Sequence, residues 1–474
     1  MFKKLVSDGA LYGFSGSVAK GVQIFLIPIY THTFSPSEYG VMELFIVFAA
    51  LINLTAACEI SMAVARFYGT SNSDEDKRQY ASSALWFSVF AYLLFFIITF
   101  LFSVRLNLWW FESVQWLYVF QVALVAMACN GIYIFLLDLL RWQQRPKFYT
   151  LTSILYSIMT ILFSLYFVLI LKIGIVGVYY GQIISAIFGI IFVLFFSRGV
   201  YVLNFYFDKC KEMLKYSFPL VFSSLAVFIN LNVDRIAISH FMTISDVGIY
   251  GIGFRIASVM TLILMGIQAA LFPLVLQTHK EASTPENLAD ILRYIMLLVF
   301  AAIIALGLFS EEIIELIAAP EFSSAKAVVP VLALTFFFAN PYNFAPGLHL
   351  VNKTKIVAFI GICIAFINIL LNIFFIPLGG IFGAALATFI AALFGFFATL
   401  YFSQIYYPIP YKWKPIIKAT ALTLITLIFS HVIFTGIDNQ FLYKLSLLFA
   451  IYLIVTFFLL KKSEILKLLH KIHL

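Results

Sequence analysis

Residues Ile154–Leu171 read ILYSIMTILFSLYFVLIL, and Leu442–Leu460 read LYKLSLLFAIYLIVTFFLL. The first run carries no charge, the second only Lys444. Apolar residues follow one another in both instead of alternating, so neither has the polar face of a membrane barrel strand. A helix crosses the ~30 Å hydrocarbon core in about 20 residues, the length of these runs. Similar runs recur along the chain. Of its 474 residues 63% are hydrophobic and 11% charged, whereas a soluble domain carries about 25% charged residues. Such a chain cannot cover a water-facing surface, which excludes a soluble enzyme and a nucleic-acid binder. The net charge of +8 therefore speaks of membrane topology, not of nucleic acid.

Fourteen spans are expected, near 10–32, 40–65, 82–104, 115–140, 149–171, 175–197, 216–240, 247–276, 292–310, 327–350, 356–376, 381–403, 416–434 and 441–460. No small-residue cleavage site follows the first run, so it reads as a retained span and not a removed signal. An even count puts both termini on one side. That side holds 23 of the 30 Lys and Arg, the opposite side four, and Lys20, Arg235 and Arg255 lie within spans. The positive-inside rule makes both termini cytoplasmic. Cys58, Cys129, Cys210 and Cys363 show no metal or redox spacing and read as small apolar residues. In the tail, Ile465, Leu468, Leu469 and Ile472 share one helical face and Lys467, His470 and Lys471 the other. That pattern suits a helix lying on an anionic inner leaflet.

The chain repeats itself. Ser37-Glu38-Tyr39-Gly40 recurs as Ser245-Asp246-Val247-Gly248, and Gln144-Arg145-Pro146-Lys147 as Asn352-Lys353-Thr354-Lys355, both offset by 208 residues. Gly174-Ile175-Val176-Gly177 matches Gly380-Ile381-Phe382-Gly383 at offset 206. Each match falls at an equivalent loop, and six spans separate the copies, so the copies share one orientation. The expected fold is an all-α membrane protein of two pseudo-symmetric six-helix lobes plus two C-terminal helices, a transporter architecture. The divisions are an N-lobe at 1–197, a cytoplasmic linker at 198–215, a C-lobe at 216–403, spans 13 and 14 at 404–460 and a basic tail at 461–474.

Charges at membrane depth cost about 2.5–3.5 kcal/mol each on insertion scales, so they face a cavity, a partner or the interface. Lys20 sits near the middle of span 1, beside a face of Gly9, Gly13, Ser17 and Gly21 that permits close helix approach. At mid-bilayer it cannot readily snorkel, which favours a cavity. Arg255 lies about eight residues inside span 8 and reads the same way. Arg66 fits a cavity and a cytoplasmic anchor equally. Arg235 follows Asp234 in span 7, behind the polar positions Ser223 and Asn230, and an inter-helix ion pair is a serious alternative there. Glu43 lies near the outer end of span 2, and Glu59 lies deeper, on the face of Arg66. Spans 1, 2, 7 and 8 thus carry the buried cations, and a cationic cavity suits a phosphate or pyrophosphate. Pro341 and Pro346 break span 10, giving a gate or a static kink. Asn368 and Asn372 share a face suited to inter-helix hydrogen bonds.

Gly9-Ala10-Leu11-Tyr12-Gly13, Phe34-Ser35-Pro36-Ser37-Glu38-Tyr39-Gly40, Ala65-Arg66-Phe67-Tyr68, Asn232-Val233-Asp234-Arg235, Gly248-Ile249-Tyr250 and Pro320-Glu321-Phe322 before Pro330-Val331-Leu332-Ala333-Leu334 together carry a family resemblance. Over essentially its whole length the chain resembles the bacterial flippases that move lipid-linked O-antigen-type repeat units. These belong to the multidrug/oligosaccharidyl-lipid/polysaccharide exporter superfamily. The resemblance implies alternating access in the bacterial inner membrane, with cations meeting the diphosphate of a polyprenyl-linked oligosaccharide. The matching positions are Lys20, Arg66 and Arg255, and then Arg235. Glu59, Asp234 and Glu43 are the candidates for a coupling proton or sodium ion. A complex with a polysaccharide polymerase is a further implied partnership; neither cofactor nor metal is expected. Span 1 has Lys where the lipid II branch has Arg, and a triplet of buried arginines is missing, which argues against lipid II as substrate.

Two other classes compete. A cation-coupled drug exporter of the same fold would want several buried acids, whereas cations here equal or outnumber them. A membrane polymerase or glycosyltransferase would want positioned acid/base or metal groups on an outer loop. The longest outer segment, near 311–326, offers Glu311, Glu312, Glu315 and Glu321 without a histidine. A major-facilitator carrier would have a basic, Gly-rich loop where this chain reads Gly69-Thr70-Ser71-Asn72-Ser73-Asp74-Glu75-Asp76.

Overall fold

The structure is a computed structural model that describes residues 2–111, 113–197, 200–433, 440–460 and 464. Within its helices the side chains of 2–10, 14, 15, 17, 19, 20, 23 and 430–433 lie outside the description. The chain forms two compact units, Met1–Gly248 and Ile249–Leu474. The described residues are helical or in loops, with no strand.

The first unit contains α1 (Phe2–Thr33), α2 (Pro36–Thr55), α3 (Ile60–Thr70), α4 (Asp74–Leu101), α5 (Ser103–Phe111), α6 (Leu117–Trp142), α7 (Pro146–Leu165), α8 (Ile175–Phe196) and α9 (Phe207–Phe241). The next helix, α10 (Ile244–Ala257), runs into the second unit. There follow α11 (Val259–Thr278), α12 (Thr284–Leu308), α13 (Ser310–Ile317), α14 (Val329–Phe338), α15 (Gly347–Leu350), α16 (Thr354–Tyr406), α17 (Trp413–Ile433) and α18 (Gln440–Leu459). Among the described residues ten helices are long and apolar enough to cross a membrane, or eleven if Pro320–Ala327 and Val329–Phe338, bent by 48°, form one span. The 53-residue α16 covers two expected spans. Gly380 has non-helical angles, φ 57° and ψ −139°. The Thr388 hydroxyl reaches Asn368 Oδ1 at 3.4 Å, although 20 residues of straight helix would hold them about 30 Å apart. The chain therefore folds back at Gly380 as an antiparallel pair. Helices α1 and α17 cover expected spans 1 and 13, and the described apolar stretch of α1 is the shorter Ile24–Thr33.

Helix α8 packs closely on α6 and α7 in the first unit. Small residues permit it: a Cβ on Gly181 would strike Ser164, and one on Gly189 the Tyr133 ring. Helix α1 joins α7 through the Thr150 hydroxyl, which donates to the Leu11 carbonyl at 3.1 Å, and through Tyr12 set edge-on to Tyr149 at 5.0 Å.

The repeat is visible in the backbone. Ser35 and Glu38 cap each other at the start of α2, with bonds of 2.9 and 3.3 Å. Their counterparts Thr243 and Asp246 do the same at α10, at 3.1 and 3.2 Å. Such a box satisfies two orphan amides at a helix start. Gln144 (φ 54°) and Asn352 (φ 55°) both turn left-handed, as do Gly174 (φ 69°) and Gly380 (φ 57°). Matched loops therefore share one conformation.

Three expected boundaries change. Span 2 is not one helix over 40–65: α2 ends at Thr55 and α3 starts at Ile60, with Cys58 (φ 48°) and Glu59 (φ 53°) left-handed between them. Glu59 is thereby the residue at the break, not a helical position one face along from Arg66. Residues 207–215, expected in the linker, are the first turns of α9. Span 10 is broken where its prolines predicted, α14 giving way to a short turn at Pro341–Asn343 and then α15. The C-terminal helix expected over 465–472 lies outside the described residues, as does Arg198 at the linker's start.

The sequence repeat divides at 198–215, while the compact units divide after Gly248. The reason is local: α9 packs on α2, α3 and α4 of the first unit. All four cysteines are free thiols; Cys210 is buried and the others are half-buried.

Candidate functional site

Two polar clusters sit at opposite ends of α9. Tyr216 and Arg235 are 19 positions apart on it, about 28 Å along a helix axis and close to the thickness of a hydrocarbon core.

At the C-terminal end, Arg235 Nε donates to Glu43 Oε2 at 3.1 Å and its Nη1 lies 3.7 Å from Asp234 Oδ1. The Asp234 and Glu43 side chains are 2% exposed and that of Arg235 7%. Glu43, near the outer end of expected span 2, is therefore buried, and the ion pair weighed for Arg235 is the arrangement observed. Arg235 also donates to the Leu231 carbonyl at 3.1 Å. A charge left unpaired at this depth would cost several kcal/mol, so the ions hold α2 to α9. Nearby, a Cβ on Gly40 would overlap the Ile244 carbonyl, and one on Gly248 the Pro36 carbonyl. The repeat-equivalent glycines thus let the starts of α2 and α10 meet backbone to backbone.

At the N-terminal end, Arg66 of α3 is exposed and lies with its guanidinium carbon 4.5 Å from the Tyr216 ring centroid. Phe67 meets Tyr216 edge-on at 6.0 Å and stacks on buried Tyr80 at 5.3 Å. The Tyr80 hydroxyl donates to Glu212 at 2.7 Å, and Lys209 lies over the Tyr80 ring while bonding Asp76 at 2.8 Å. Among the described residues no carboxylate pairs with Arg66.

The remaining candidates are dispersed. Half-buried Arg255 lies on the α10 segment of the second unit, its carbonyl accepting from the Ser258 hydroxyl at 2.7 Å. Lys20 lies in α1, with its side chain outside the described residues. Glu59 is half-buried at the helix break.

Three charged positions went unrecognised in the sequence. Asp138, inside expected span 4, accepts from Arg141 at 2.6 Å and from the Ser61 hydroxyl at 3.1 Å; its i,i+3 spacing to Arg141 was a usable signal. Arg293 was counted as a loop cation, yet it is 2% exposed and bonds Asp290 (2.7 Å), Glu464 (3.2 Å) and the Leu459 carbonyl (3.1 Å). Lys444 is 5% exposed and donates to Glu312 at 2.6 Å, while Lys326 bonds Glu311. Glu311 and Glu312 of this segment are thus occupied in ion pairs within the second unit. In span 10's surroundings, the Tyr411 hydroxyl donates to the Phe344 carbonyl, and burial pushes its phenol well above the ordinary range.

Comparison with known proteins fits this fold. Residues 32–343 match the family model described as polysaccharide biosynthesis protein. A probable low-salt glycan biosynthesis flippase, Agl15 of Haloferax volcanii, is 26% identical over 186 residues, 38% of this chain and 39% of that protein. The chain thus spans well under half of that relative's length in the match. Among solved structures, the lipid II flippase MurJ in an inward closed conformation superposes with a TM-score of 0.70, at 17% identity over 95% of this chain and 98% of that one. An inward-facing multidrug resistance MATE family transporter of the MOP superfamily gives 0.64, at 16% identity over 84% and 94%. These likenesses are of fold. The chain belongs to the polysaccharide biosynthesis protein family.

Proposed function

We propose that the protein moves a polyprenyl-diphosphate-linked oligosaccharide of the O-antigen type from the cytoplasmic to the outer leaflet of a bacterial inner membrane, by alternating access. The observation that carries this reading is Arg66, an exposed guanidinium without a carboxylate partner among the described residues, in a chain that is 63% hydrophobic. A guanidinium so placed suits a diphosphate, which it meets with paired N–H donors. Lys20 and Arg255 share that task; Arg235 belongs to the ion cluster between α2 and α9. The topology is fourteen spans with both termini in the cytoplasm. Two lobes of six spans each rock about the substrate, and the prenyl tail stays in lipid. A proton or sodium gradient drives the cycle through Glu59, which has no cationic partner among the described residues, or through Glu43 or Asp234 when the Arg235 cluster opens. A polysaccharide polymerase takes over the product on the outer face.

The experiment is leaflet-resolved: delete the protein and locate the lipid-linked oligosaccharide. Accumulation facing the cytoplasm is expected. Accumulation facing outward would assign a polymerase or transferase role instead, and no accumulation would leave drug export as the better reading.

A further inference from the structure

Resting on the reading of Arg66 as a diphosphate ligand, we propose that Tyr216 is the residue that positions it. The two residues lie 150 positions apart in sequence, yet the Tyr216 ring faces the guanidinium at 4.5 Å. A guanidinium held over a ring is attracted by the negative face of the ring and keeps its five N–H donors in its own plane. The donors turned away from the ring can meet two phosphoryl oxygens at once. Stacking also limits the rotamers of a long side chain, so less entropy is lost when the anion binds.

Three further observations support a positioning role. No carboxylate among the described residues competes for Arg66. The ring is itself braced, since Phe67 meets it edge-on at 6.0 Å and stacks at 5.3 Å on buried Tyr80. Tyr80 in turn is tied to α9 by its bond to Glu212, one helical turn before Tyr216. The brace joins α3, α4 and α9, so the direction of the Arg66 donors depends on how these helices pack.

The test measures binding of farnesyl diphosphate to the purified full-length protein in detergent. Arg66→Ala should weaken diphosphate binding roughly ten- to a hundredfold, the scale of one charge-assisted hydrogen bond, and leave a residual affinity from Lys20 and Arg255. Tyr216→Leu should weaken binding about fivefold, the scale of one cation–π contact, and Tyr216→Phe should restore it. In the Arg66→Ala background, Tyr216→Leu should have no further effect. Arg66→Lys, which keeps the charge and loses the planar stack, should fall between the parent and Arg66→Ala, and it serves if Tyr216→Leu does not fold. Unchanged affinity in Tyr216→Leu or in Arg66→Lys would overturn the positioning role while leaving Arg66 as the ligand. Equal weakening by Tyr216→Leu with and without Arg66 would overturn it too, because the ring would then act through the fold alone. Unchanged affinity in Arg66→Ala would overturn the diphosphate reading of Arg66 itself.

Discussion

Arg66, Arg235 and Arg255 are one residue type in three environments, and environment decides what each can do. Arg235 is held between two carboxylates at 3.1 and 3.7 Å, so much of its charge is met inside the protein. Among the described residues Arg66 is met by the Phe67 and Tyr216 rings and by no carboxylate, and a ring does not occupy the N–H donors as a carboxylate does. Arg255 is half-buried within Ile244–Thr278, a stretch long and apolar enough to cross a membrane. If Arg255 helps hold the diphosphate, Arg255→Ala should lose a charge-assisted hydrogen bond of about 1.5–3 kcal/mol, roughly ten- to a hundredfold in substrate affinity. Complementation of a null strain should then fail with Arg255→Ala and be partly retained with Arg255→Lys. Full complementation by Arg255→Ala would remove it from the site. The sequence placed Arg235 and Arg255 within spans and Arg66 near the cytoplasmic boundary, but partners come from other helices, 192 positions away for Glu43 and Arg235, and no spacing rule reaches that far.

Helix ends and helix breaks carry more information here than helix faces. The matched loops at Ser37–Gly40 and Ser245–Gly248, and at Gln144–Lys147 and Asn352–Lys355, were legible as repeats because turn chemistry is local; the capping boxes at Ser35 and Thr243 came into view with the structure. The break at Cys58 and Glu59 was not, since no proline or glycine marks it and a continuous helix satisfies the same hydropathy. The Glu43–Arg235 pair gives a direct test of what joins α2 to α9. Glu43→Ala should destabilise the protein by the order of 3 kcal/mol, the cost of leaving a buried ion short of its partner. The exchange Glu43→Arg with Arg235→Glu should recover part of that. Unfolding with a thiol-reactive dye reports it, because Cys210 is buried in the native state. Equal stability of the single variant and the parent would show that the pair does not hold the helices.

On the scale of the whole molecule, the distribution of Lys and Arg sets the expected orientation. With the four native cysteines replaced, a cysteine at Ser323 should react with a membrane-impermeant maleimide in intact cells. One at Asn72 should react only after permeabilisation. Reversed labelling would invert the protein, and labelling of both positions in intact cells would change the span count between them.

The sequence by itself determined the class and the repeat. Apolar runs of membrane length follow from composition and order alone, and the three repeated loops follow from local turn chemistry, which needs no tertiary partner. Tertiary structure alone decided which charges meet. It brought Glu43 to Arg235, Tyr216 to Arg66 and Glu464 to Arg293, and it drew the compact unit to end at Gly248 instead of within the 198–215 linker. The physical reason is range: hydropathy and capping act within a few residues, whereas a buried charge takes its partner from whichever helix packing brings within about 4 Å.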